Sequence, residues 1–119
     1  MYFLDSYAII EILAENQNYE RFKNSVNHTS LLNLLEVHNI LRKLKEKVVV
    51  DKIIEKLLGI CMQITVDDIK FASEFKINNK SKKFSYIDCL GYAIAFNKNL
   101  KFVTGDNEFK SLANVEFVK

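Results

Sequence analysis

The stretch MYFLDSYAIIEIL, residues 1–13, decides how the rest of the chain is read. Tyr2-Phe3-Leu4 is short, apolar and aromatic, as a buried strand is, and it ends at Asp5. Ser6 can cap a helix that carries Ile9, Ile10, Ile12 and Leu13. A strand, an acid at its end and a helix that starts at once form the opening unit of an α/β domain.

The same alternation recurs downstream. A second helical stretch is expected from Tyr19 to Val26 and a second strand from His28 to Leu32. Asn33-Leu34-Leu35-Glu36 resembles a capping box that opens a helix with Leu34, Val37, Leu41 and Leu44 on its apolar face. Val48 to Leu58 forms the next helix, Gly59 stops it, and Cys61 to Val66 is a third strand. Asp67 then caps a helix through Ile69, Ala72 and Phe75, which fades into the polar, loop-like run Asn78-Asn79-Lys80-Ser81-Lys82-Lys83. Ser85 opens an apolar helix to Phe96, Lys101 to Thr104 is a fourth strand, Gly105 to Lys110 turns, and Val115 to Val118 is a fifth. Strands separated by helices imply a parallel sheet covered on both faces, with functional groups beyond the C-terminal ends of the strands.

Composition bounds the rest. The chain has 119 residues, of which 49% are hydrophobic and 27% charged, with three Gly and no Pro. Those figures describe one globular domain, residues 1–119, and exclude a disordered or linker-rich chain. The apolar start is broken by Asp5 and Glu11 and lacks a basic lead, so neither a signal peptide nor a membrane span is expected, and the cytoplasm is the expected location. Cys61 and Cys89 lack zinc spacing and suit reduced, buried thiols.

Four acids sit where propensity alone would not put them. Asp5 ends the first strand, and Asp106 follows the fourth after Thr104-Gly105. Asp88 is the only charged residue between Tyr86 and Phe96, and Glu36 lies among Leu34, Leu35 and Val37. Each has a local explanation: Glu36 and Asp88 can complete capping boxes with Asn33 and Ser85, and Asp5 and Asp106 can be turn formers. Together they gain a second meaning, because an α/β sheet brings strand ends and helix starts to one edge. Two like charges about 5 Å apart repel by roughly 3 kcal/mol at an effective dielectric near 20, so four converging carboxylates need protons or cations. An all-oxygen set suits Mg²⁺ or Mn²⁺ rather than zinc, and such a centre is equipped for phosphodiester hydrolysis by a metal-activated water.

Four blocks carry a family resemblance: MYFLDSYAIIEIL, LLNLLEVHNILRK, FSYIDCLGYAIAF and KFVTGDNEF. In order and spacing they resemble the motif blocks of the PIN domain, and the length is most similar to the stand-alone VapC-type toxins of toxin–antitoxin pairs. The resemblance implies a three-layer α/β/α sandwich with a five-stranded parallel sheet. It also implies a Mg²⁺- or Mn²⁺-dependent endoribonuclease acting on RNA, and a cognate antitoxin that inhibits it. The acidic quartet carries over as Asp5, Glu36, Asp88 and Asp106, both as metal ligands and as catalytic residues. Ser6 and Thr104 match the hydroxyl residues that support the acids, and Glu108 matches an accessory acid. Tyr7 departs from the pattern, standing where many relatives have a small polar residue.

That departure motivates an alternative, a PIN-like RNA- or protein-binding module without hydrolysis. A phosphatase using one Asp as nucleophile lacks a partnering Lys. His28 and His38 have no matching spacing for nucleophilic catalysis or zinc, and suit helix-surface or capping roles. Lys80, Lys82 and Lys83 are suited to RNA phosphates. Apolar positions at Ile9, Ile12, Leu13 and Phe22, and along Val48 to Leu58, exceed what one sheet face needs and point to a homodimer. The net charge of +2 conceals a division: with four acids set aside for a metal, eleven face seventeen bases, about +6 for the remaining surface.

Overall fold

The computed structural model describes residues 1–119. Strand β1 (Tyr2–Leu4) runs directly into helix α1 (Ser6–Leu13), and a 3₁₀ stretch at Gln17–Phe22 leads to β2 (Asn27–His28). Four helices follow: α2 (Leu31–Arg42), α3 (Lys47–Leu57), α4 (Val66–Asn78) and α5 (Tyr86–Asn97). Then come β3 (Lys101–Thr104), a short 3₁₀ turn at Asn107–Phe109, and β4 (Val115–Phe117).

The strands form one sheet in the order β2-β1-β3-β4, and every neighbouring pair is parallel. Alternation of side chains along each strand divides the core in two. Phe3 and Phe102 face a cluster built mainly on α4 and α5, with Tyr92, Ile94 and Phe109. Leu4 and Val103 face the other, built on α1, α2 and α3 with Ile9, Tyr19, Phe22 and Val37. Helices therefore cover both faces, as the sequence pattern implies. Gly91 lets α5 lie close to the sheet, since a Cβ there would stand 3.0 Å from the Phe3 ring and 3.2 Å from that of Phe102.

The sheet has four strands rather than five. The segment expected as the third strand, Cys61–Val66, contributes only an isolated bridge between Thr29 and Cys61. Val66 already belongs to α4, because Thr65 and Asp68 form a reciprocal capping box that starts the helix there. A helix-start signal thus outweighs the β-branched run, and Thr65 replaces Asp67 as the cap. The second strand is shortened for the same reason. The Ser30 hydroxyl accepts from Asn33 N at 3.3 Å and caps α2, so Leu31 and Leu32 are helical. The stretch from Tyr19 to Val26 is not an α-helix but the 3₁₀ turn and its exit. Asp5, rather than Ser6, caps α1, its Oδ1 accepting from Ala8 N at 2.8 Å. Of the apolar residues counted as surplus, Ile9 and Phe22 are core, at 2% and 0% exposure, whereas Leu13, Val48, Val49 and Leu58 are exposed.

This strand order has one functional consequence. From β1 the chain moves to β2 on one side and later returns to β3 on the other, so the C-terminal ends of β1 and β3 flank a topological switch point. In parallel sheets that is where a crevice opens. No helix is long and apolar enough to cross a membrane.

Candidate active site

Asp5 leaves the end of β1 and Asp106 follows β3 after Gly105, on either side of the switch point. Glu36 comes from the second turn of α2 and Asp88 from the first turn of α5. The four acids line one cleft of about 530 Å³, together with Ser6, Tyr7, Glu108 and Lys119.

Each acid has one oxygen committed to a hydrogen bond within the chain, local for Asp5, Asp88 and Asp106 and from α1 for Glu36. Asp5 Oδ1 accepts from Ala8 N at 2.8 Å, and Glu36 Oε1 from the Ser6 hydroxyl at 2.6 Å. Asp88 Oδ2 accepts from Ser85 N at 2.9 Å, and Asp106 Oδ1 from Glu108 N at 3.0 Å. These bonds restrain each side chain and leave a second carboxylate oxygen of Glu36, Asp88 and Asp106 without a hydrogen-bond partner. The local explanations divide accordingly. Asp88 does complete a capping box with Ser85. Glu36 does not cap α2, because Ser30 does, and its hydrogen-bonded neighbour in the cleft is Ser6.

The two hydroxyl residues of the motif blocks lie beneath the acids. Ser6 is buried between α1 and α2, receiving Asn33 Nδ2 at 3.2 Å while it donates to Glu36. Thr104 is fully buried; its hydroxyl accepts from Asp106 N at 3.0 Å and also hydrogen-bonds the Asp5 carboxyl, tying the two strand-end acids together. Glu108 sits at the rim, its Oε2 3.8 Å from Lys82 Nζ. Lys80 and Lys82 line an adjoining groove, and Lys83 is exposed outside it.

The electrostatics follow from burial and crowding. Burial pushes the Asp5 carboxyl up to about 7 against its hydrogen bonds to Thr104 and Ala8, and the charges of Asp88 and Asp106 push the same way. Asp88 is also raised, by burial first and then by Glu36 and Asp106, with the Ser85 bonds opposing. A site that disfavours its own charges in this way calls for a compensating cation. No three of these carboxylates are gathered tightly enough to ligate a single ion directly. Mg²⁺ does not require that, since it retains several waters and is commonly held by one or two carboxylates. The oxygen-only donor set and the unbonded oxygens fit such a hydrated, hard cation. The histidines lie elsewhere: His38 Nε2 is 2.9 Å from Asp51 Oδ1 on α3, and His28 pairs within the sheet.

Sequence reasoning missed two contributors. Asn33 is a polar residue in a leucine run; it is 2% exposed and orients Ser6. Its place in that run was the available signal, but it suggested a cap. Lys119 is the other. Its Nζ donates to Gly105 O at 3.1 Å and stands 5.6 Å from the Tyr7 ring centroid, bringing a positive charge into the acidic cleft. Nothing local marks it. Tyr7 lies against the strand-end turn so closely that a Cβ at Gly105 would be 2.2 Å from its Cε1.

Comparison with known proteins agrees with this fold. The family model for the PIN domain matches residues 2–115. VapC20 of Mycobacterium tuberculosis, a sarcin-ricin loop cleaving toxin, superposes with a TM-score of 0.77 at 19% identity over 100% of both chains. A toxin–antitoxin complex from Klebsiella pneumoniae gives 0.76 at 16% identity, covering 98% of this chain and 96% of that one. VapBC2 of Rickettsia felis, bound to a DNA fragment from its promoter, gives 0.74 at 19% identity, covering 99% and 98%. At these identities the likeness is one of fold. No curated protein sequence matches the chain.

Proposed function

Because the chain belongs to the PIN domain family, whose members are nucleases, we propose that it is a metal-dependent endoribonuclease with Asp5, Glu36, Asp88 and Asp106 as its centre. The observation that carries this proposal is the meeting of four carboxylates, two beyond strand ends and two from the first two turns of helices, in one cleft. Asp5, Glu36, Asp88 and Asp106 would hold a hydrated Mg²⁺ or Mn²⁺, in part through its waters, and such an ion when bound would supply an acidified water and offset charge on the phosphate.

The protein's own part is to hold and shape. Ser6 fixes one oxygen of Glu36 and leaves the other to the cleft, while Thr104 couples Asp5 to Asp106. The Ser85 cap restrains Asp88. Lys119 supplies a cation at the Gly105 side, where a phosphodiester would otherwise meet only carboxylates. Glu108 is an accessory acid at the rim.

Cleavage of RNA in Mg²⁺ or Mn²⁺, compared between wild type and the variants Asp5→Asn and Asp88→Asn, tests the assignment. Loss of cleavage in both is expected, and unchanged cleavage in both would overturn it.

Likeness in fold to toxins and toxin–antitoxin complexes supports a toxin role with a cognate antitoxin as partner. A short neighbouring gene whose product co-purifies with this chain and blocks cleavage is the expected finding. Exposed Leu13, Val48 and Val49 support self-association, which a monomeric mass by light scattering at micromolar concentration would reject. The alternative of a binding module without hydrolysis draws on Tyr7, whose ring stands in the cleft where a small side chain would leave room. Metal-dependent RNA binding without product over long incubation would favour it.

A further inference from the structure

Beside the acidic cleft lies a second groove of about 480 Å³, lined by Lys76, Asn79, Lys80, Lys82 and Tyr86 among others. The two are joined at Lys82, whose ammonium is 3.8 Å from Glu108 at the cleft's rim. Tyr86 begins α5, two residues before Asp88, and is 79% exposed. Residues two apart on a helix point about 200° apart, so the acidic cleft and the basic groove lie on opposite flanks of the same helix start.

Tyr86 is held rather than loose. Lys76 Nζ stands 4.9 Å from its ring centroid, and the same ammonium donates to Phe84 O at 2.6 Å. On its other side Tyr86 walls an apolar trough of about 280 Å³ with Leu32, Ile69 and Leu90. Cations along one wall, a positioned aromatic ring and an apolar recess beyond it match the chemistry of a nucleotide chain, whose backbone is anionic and whose bases are flat and apolar on their faces.

We propose that this groove carries single-stranded RNA flanking the scissile bond, with Lys80 and Lys82 on its phosphates and one unstacked base on Tyr86. The proposal rests on the ribonuclease reading of the adjoining cleft. It specifies unpaired RNA, because bases stacked inside an A-form duplex cannot reach an exposed ring.

Fluorescence anisotropy with a labelled oligoribonucleotide of about ten nucleotides, in metal-free buffer so that cleavage does not intrude, provides the test. Wild type is expected to bind the single strand more tightly than the matching duplex. Tyr86→Ala is expected to weaken single-strand binding about tenfold, and Tyr86→Phe to retain it. The double variant Lys80→Ala, Lys82→Ala is expected to reduce the salt slope by about 0.7 per lysine. These side chains contribute little to the core, so thermal melting should match wild type and separate binding from misfolding. If wild type cleaves RNA while Tyr86→Ala binds and cleaves as it does, the groove proposal falls and the ribonuclease reading stands. If wild type neither binds nor cleaves RNA, both fall. A labelled polyglutamate peptide that binds as tightly as RNA, and is weakened equally by Tyr86→Ala, would show a protein dock instead and overturn the proposal.

Discussion

Asp68 and Asp88 occupy the same local position on adjacent helices. Each is the third residue of its helix and closes a reciprocal capping box, with Thr65 or Ser85 as its partner, and each accepts from the backbone N–H of that partner at 2.9 Å. Their surroundings differ. Burial acts against the Asp68 charge, yet hydrogen bonds from Asn97 and Thr65 and the charge of Lys98 outweigh it and hold the carboxyl below its ordinary range. Asp88 meets burial with Glu36 and Asp106 for neighbours, and is raised. The same capping signal therefore yields a self-sufficient structural acid on α4 and, on α5, an acid whose neighbours disfavour its charge.

Titration separates the two most widely. An acid raised in the folded state binds its proton there at a pH where the unfolded chain has lost it, so stability declines as pH rises between the two values. For Asp5 that window runs from 3.8 to about 7, a decline of roughly 4 kcal/mol at about 1.36 kcal/mol per unit. Asp88 adds to it in the same direction. Asp68 and Asp51 are lowered, so their contribution is complete above the unfolded value of 3.8 and is lost as pH falls below it. Metal-free protein unfolded in denaturant between pH 4.5 and 8 should lose stability as pH rises, and millimolar Mg²⁺ or Mn²⁺ should flatten the decline. A flat metal-free profile would erase the contrast.

Substitution comes next in size. Asp88→Asn should reduce cleavage by at least about 10²-fold, near 3 kcal/mol of transition-state stabilisation, while leaving metal-free stability equal or higher. Asp68→Asn should do the reverse, leaving cleavage within a few-fold of wild type and lowering stability by about 2 kcal/mol through its bonds to Thr65 and Asn97. RNA-cleavage rates and chemical denaturation on the same two preparations check both; a stability loss for Asp88→Asn equal to that of Asp68→Asn would break the comparison.

The smallest effect sharpens it at the strand end. Gly105→Ala places a Cβ in the Tyr7 ring and should cost about 1–2 kcal/mol. The same change in a Tyr7→Ser background should cost much less. Equal costs in the two backgrounds would mean that the ring does not back the cleft.

The strand–helix alternation was legible because a two-residue period and a helical period are local properties. The element starts that were misplaced share one cause. At Ser30 and at Thr65 to Asp68 a capping signal lies inside a run of apolar or β-branched residues, and hydrogen bonds at the cap prevailed over strand propensity. The candidate acids stood out because each interrupts an apolar context, and the cleft brings all four together. Asn33 also interrupts an apolar run, but that mark suggested a cap, and Lys119 carried none, since their importance comes from neighbours 27 and 14 residues away.

The sequence by itself determined the periodicities and the acids that break them, because these depend on residues close in the chain. Only the tertiary structure decided that β1 and β3 are neighbours at a switch point, that Glu36 faces Ser6 instead of capping its helix, and that Asp88 is crowded while Asp68 is satisfied. Charge interaction depends on distance in space and on solvent exclusion. Neither is set until the sheet order brings strand ends and helix starts to one edge.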